Sequence, residues 1–182
     1  MVASSLSKIA PLEQPVRTRV VKLLFRVLLI ATFAVWFGGF FFYAAFVVPL
    51  GNEVLGSARA QGFITRLVVH RINAMCLGTI VLMIIELISS WRWSPRWNQL
   101  VQTIAIILIG VLLAILVAIH PQLDKLLDVP RRQVTERAAF YQLHRIYLWA
   151  ITVQWGLAWV WLFAVLTNWN EKFRLRSCAN LS

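Results

Sequence analysis

The chain has 182 residues, 60% of them hydrophobic and 14% charged, with 18 Lys and Arg against 7 Asp and Glu and a formal net charge of +11. So apolar a composition excludes a disordered segment, and with 2 Cys, 8 Gly and 6 Pro it excludes a disulfide scaffold or a collagen-like repeat. The apolar residues fall in runs longer than a soluble core helix needs, which predicts an all-α, polytopic membrane protein.

Crossing a hydrocarbon core about 30 Å thick takes roughly 20 apolar residues, because a helix rises about 1.5 Å per residue and lipid offers the backbone no partners. Residues 27–48 carry no charge and residues 72–91 carry one, Glu86; further spans cover about 100–120 and 146–167. The chain then divides into a basic arm over 1–26, a four-span membrane domain over 27–168 and a tail over 169–182. Basic residues before an apolar stretch suggest a signal peptide. This stretch is longer than an h-region, and no small-residue cleavage pattern follows Phe40, Phe41, Phe42 and Tyr43, so the first span is read as retained.

Orientation follows the basic residues that flank the spans. Lys8, Arg17, Arg19, Lys22, Arg26, Arg92, Arg96, Lys172, Arg174 and Arg176 share one side; Arg59, Arg66, Arg71, Lys125, Arg131, Arg132, Arg137 and Arg145 share the other. The dense arm before the first span decides the reading, a multi-pass protein of the cell (inner) membrane with both termini cytoplasmic. Trp91, Trp93, Trp97 and Trp169 form an aromatic belt on that side. The basic charge flanks spans and builds no soluble domain, so its partner is anionic lipid and not nucleic acid.

The second and fourth helices are expected to project beyond the outer face. Phe63, Leu67, His70, Asn73 and Leu77 fall on one helical face, and Phe140, Leu143, His144 and Tyr147 repeat the pattern. Asp128, Val129 and Pro130 offer a start for the fourth helix. The two halves also align as a duplication. Pro49 matches Pro121, Asn52 matches Asp124, Leu55 matches Leu127, and His70, Arg71 and Ile72 match His144, Arg145 and Ile146. Two hairpins of like polarity imply parallel repeats about a pseudo-twofold axis along the membrane normal, with His70 and His144 at equal depth.

All three histidines, His70, His120 and His144, fall at the presumed outer end of a span. Imidazoles bind transition metals and haem iron, so His70 and His144 are candidate cofactor ligands and His70, His120 and His144 candidate metal ligands. Interfacial hydrogen bonding is the plainer reading. Arg71 and Arg145 either snorkel to lipid phosphates or, with Arg66, line a basin for an anionic group such as haem propionates. Glu86 is the acid inside a span; snorkelling or pairing with Arg92 or Arg26 competes with a proton-relay role. Gly38, Gly39, Gly78, Gly110 and Gly156 give each span a small residue for close helix approach. Trp149, Trp155, Trp159 and Trp161 point to several faces of the fourth span, so some meet lipid or another subunit. Cys76 and Cys178 lie toward opposite ends of the bundle and define neither a disulfide nor a metal motif. No phosphate loop, nucleophile elbow or zinc-protease motif occurs, and no enzyme activity is read from the chain.

Trp36-Phe37-Gly38-Gly39, the aromatic run after it, Val47-Val48-Pro49 and then Phe140-Tyr141-Gln142-Leu143-His144-Arg145 resemble the transmembrane-protein-205-like four-helix membrane domain of unknown function. That domain is similar in turn to copper-resistance protein D and to the four-helix membrane protoporphyrinogen oxidase that carries haem. The resemblance covers most of the four-span region. It implies a helical bundle in which haem or a metal ion is bound, although the Met- and His-rich outer segments that favour copper handling are absent. The expected function is a haem- or metal-binding bundle with an outer-face His pair. The alternative is a structural or accessory subunit of a larger membrane complex, docking onto other subunits or onto itself. Transport is less expected, because Pro sits near span ends and leaves the midplane helices unbroken.

Overall fold

The computed structural model describes residues 16–128, 133–134 and 136–179; of these, side chains are described for all but 58–59, 127–128, 133–134 and 171–179. Four helices follow one another: α1, Val16–Leu55; α2, Ala58–Ser90; α3, Arg96–Lys125; and α4, Arg137–Ala179. Each contains a segment long and apolar enough to cross a membrane. Side-chain contacts fix an up-down-up-down arrangement. Phe33 stacks on Trp161 and Arg66 meets Asp124, while Gln154 donates to the Ile109 carbonyl, so sequence neighbours run antiparallel and α4 closes back on α1.

The helices are longer than the apolar spans. Helix α1 begins at Val16, inside the basic arm, and continues beyond Pro49. Pro49 has no N–H to offer the carbonyl four residues back, and its ring crowds that carbonyl. The turn Tyr43–Val47 just before it widens to a π-helix, which lets the helix continue to Leu55. Pro121 is likewise inside α3 and does not end it. Gly56 supplies the left-handed residue, at φ 59°, that stops α1, and the Ser57 hydroxyl caps α2 by accepting from the Ala60 N–H at 3.3 Å. The start expected for α4 at Asp128 is displaced: Leu127–Asp128 pairs antiparallel with Gln133–Val134, and the helix begins at Arg137. Val129 and Pro130 lie outside the described residues.

Because lipid is as apolar as the core, hydrophobicity does not choose which face of a spanning helix turns inward; packing and polar contacts do. The stripe expected on α2 illustrates this. Asn73 is buried, but Leu67 and Leu77 are 65% and 57% exposed. The face that packs carries Ile72, Cys76, Ile80, Met83, Glu86 and Ser90. On α4 the expected stripe does pack, with Tyr147 buried and Phe140, Leu143 and His144 half-buried. An aromatic seam joins α1 to α4: Phe37 stacks on Trp155 at 4.7 Å, and Trp161, fully buried, stacks on Phe33 at 5.6 Å. Trp149 and Trp159 face outward, so this tryptophan set does serve several faces.

The glycines expected to permit close helix contact do not. A Cβ at Gly38, Gly39, Gly78, Gly110 or Gly156 would meet open space. The close approach is at Gly51, where a Cβ would overlap the buried Gln61 side chain. Gln61 Nε2 donates to the Tyr43 hydroxyl at 3.3 Å, and that hydroxyl donates to Thr65 Oγ1 at 3.0 Å, which clamps the π-turn onto α2.

Candidate functional site

At the end where α2 begins and α3 ends, polar side chains gather on the rim. His70 of α2 and His120 of α3 lie with ring centroids 6.3 Å apart and planes inclined by 30°. One turn further along α3, Asp124 Oδ2 lies 3.8 Å from His120 Nε2, while its Oδ1 lies 3.5 Å from Arg66 Nε, one turn before His70. The helical four-residue spacing places each pair in register, so two antiparallel helices bring two imidazoles, a carboxylate and a guanidinium together. Asp124 and Arg66 are each about a third exposed, so the ion pair adds little stability and its side chains are free to turn.

His144 does not join this group. Its ring lies flat on Phe140, with centroids 5.7 Å apart and planes 7° apart. At this end α2 and α4 meet three residues inward of each histidine: Asn73 Nδ2 donates to the Tyr147 hydroxyl at 3.2 Å, and both residues are buried. His70 and His144 therefore flank this bond about one turn above it, but on faces that lead one ring to α3 and the other to its own helix. Arg71 and Arg145 are exposed. Of the expected basin, Arg66 alone is engaged by the cluster, through Asp124.

These positions decide what can be held there. Among the described residues no group of three or more His, Cys, Asp or Glu side chains is gathered closely enough to hold a metal ion, so the set His70, His120 and His144 is not brought together. The Arg66 to Asp124 contact ties α2 to α3 one turn beyond the two imidazoles that meet.

The opposite end, where α1 begins and α2 meets α3, hides its polar groups. Glu86 is 4% exposed and accepts a hydrogen bond of 2.6 Å from Trp169 Nε1. The Arg26 guanidinium lies 4.5 Å over the Trp169 ring. Glu86 thus neither snorkels nor relies on Arg92, which is exposed; an indole N–H and a nearby cation stabilise it. Beside it, Asn98 of α3 donates to the Ala164 carbonyl at 2.9 Å and to Thr167 Oγ1 at 3.3 Å, and accepts from Gln102 Nε2. The sequence pattern does not single out Gln102, Gln154 or Asn168, all buried. The available signal is that an uncharged polar side chain within an apolar span turns toward the bundle interior. Gln154 meets that rule at mid-bundle, donating to the Ile109 carbonyl at 3.1 Å and to Cys76 Sγ at 3.6 Å.

Comparison with family models, curated proteins and solved structures finds no match for the chain.

Proposed function

We propose that the protein is a multi-pass bundle of the cell (inner) membrane, termini cytoplasmic, that binds a divalent transition-metal ion at its outer rim through His70 and His120. The observation that carries the reading is the meeting of these imidazoles at 6.3 Å with Asp124 beside His120. Neutral imidazole with a carboxylate suits Zn²⁺, Ni²⁺ or Cu²⁺, and Asp124 would serve as third donor on release from Arg66. The parallel-repeat reading belongs to the same proposal. Asn73 and Tyr147, equivalent positions of the two halves, bond to each other, as expected for residues beside a twofold axis. His144, across that axis, is then a support for Phe140 and not a ligand.

The test is Zn²⁺ titration of the purified full chain by calorimetry. One ion per chain is expected, with affinity falling at least about 100-fold in His70→Ala or His120→Ala and staying within about threefold of wild type in His144→Ala. Absence of stoichiometric binding, or dependence on His144 alone, contradicts the proposal.

A second reading, an accessory subunit in a larger membrane assembly, is favoured by one observation. Trp97, Val101, Trp159, Val160 and Phe163 line an open groove between α3 and α4, with Asn98 and Thr167 also along it. A partner helix would be recognised there by close packing and by those polar groups. Stoichiometric co-purification lost on Trp159→Ala supports it; a clean monomer in mild detergent from native membranes counts against it.

A further inference from the structure

The polar layer at the end opposite the histidines is incompletely satisfied. Gln102 and Asn168 are 0% and 1% exposed. Yet Gln102 Oε1, both amide atoms of Asn168 and Ser94 Oγ are buried without a protein partner. Trp161 Nε1, two turns further along the same stripe of α4, is buried and unpartnered as well. Each such group costs roughly 1–3 kcal/mol if truly unpaired, and native interiors keep these to a few. The contacts place two of them, Gln102 and Asn168, at one level of the bundle, with Ser94 in the turn that Gln99 Nε2 holds through the Ser94 carbonyl at 2.7 Å. Gln102 bonds to Asn98, Asn98 bonds to Thr167, Asn168 is next in the chain, and Trp169 after it reaches Glu86.

The chemistry of the unpartnered atoms identifies what completes them. They comprise N–H donors on Asn168 and Trp161, carbonyl acceptors on Gln102 and Asn168, and a hydroxyl that does both. A bare cation would be repelled by the donors and an anion by the carbonyls. Water, which donates and accepts, matches all of them.

We propose that ordered waters occupy this layer, complete Ser94, Gln102 and Asn168, and connect Glu86 to the aqueous phase at that end, making the carboxylate a proton-exchanging site open to one side of the membrane. The groups that face Glu86 are consistent with one titrating centre. From α1 comes Arg26, over Trp169, with Lys22 a turn nearer the end; from the turn before α3, the neutral Ser94; from α3, the neutral Asn98 and Gln102; from α4, the neutral Asn168 and Trp169. The inference is independent of the metal reading, which concerns the other end.

The experiment uses the full chain in oriented proteoliposomes and a fluorescent hydrophobic carbodiimide, which reacts with protonated carboxyl groups in apolar surroundings. Labelling is expected at Glu86 and absent in Glu86→Gln. Its rate should rise as pH falls on the side where α1 begins, and ignore pH on the histidine side. In the double variant Gln102→Leu with Asn168→Leu, which removes the groups that hold the waters, the rise in rate with falling pH on that side should be about tenfold smaller. No labelling at any pH, labelling that ignores pH or follows the histidine side, or an unchanged rise in a folded double variant overturns the proposal. If the double variant does not fold, the sidedness of the wild-type reaction still decides.

Discussion

The two ends of this bundle handle polar groups in opposite ways. Around His70 and His120 the side chains stand on the rim, partly exposed, held by contacts of 3.5–3.8 Å that turn easily. Around Glu86 they are enclosed by four helices and joined by short, directed hydrogen bonds. The difference teaches where each end derives its value. A rim cluster contributes little to stability and can rearrange around a ligand. An enclosed carboxylate must be satisfied in the folded state, because lipid supplies nothing to replace a lost partner.

That contrast ranks the expected effects of mutation on thermal unfolding in detergent. Glu86→Ala leaves Trp169 Nε1 without its acceptor and Arg26 without the nearby negative charge, and is expected to cost about 3 kcal/mol. His120→Ala at the other end should change stability by no more than about 0.5 kcal/mol in the absence of metal. Equal losses at both ends would erase the comparison. Next comes Trp161→Ala, about 2–3 kcal/mol; lipid matches the core in polarity, so the cost is lost packing and cavity, not transfer from water. Gly51→Ala should cost about 1 kcal/mol, because the methyl displaces the end of the Gln61 side chain and its hydrogen bond to Tyr43, whereas Gly78→Ala, with open space around it, should stabilise by about 0.5 kcal/mol. Opposite signs for the two glycines would sharpen the view that the α1–α2 clamp is the close helix contact. Tyr147→Phe should cost about 1 kcal/mol, through the unpaired Asn73 amide.

How much of this was legible beforehand divides along the same physics. The four spans follow from run length and charge, because helix rise and bilayer thickness leave few alternatives. Helix ends were less legible. Pro49 and Pro121 close the apolar runs of the first and third spans, but a π-turn carries α1 past the first, and the second lies within α3. Which residues face inward was least legible of all. On α2, Leu67 and Leu77 are as apolar as Ile80 and Met83, and only the latter pack. The informative residues were the few polar ones, Asn73, Gln102, Gln154 and Asn168, whose type carries the direction that hydrophobicity does not. At the candidate site, all three histidines were visible, but their pairing was not. That pairing depends on helix rotation, which turned His70 toward His120 and laid His144 on Phe140.

The most direct measurement is X-ray absorption fine structure on the full chain loaded with one equivalent of Zn²⁺, which counts imidazole ligands by their multiple-scattering signature. The account predicts two imidazoles with oxygen donors completing the shell, unchanged in His144→Ala and reduced to one in His70→Ala. A shell of one or no imidazole in the wild type, or one that loses an imidazole with His144, would contradict it.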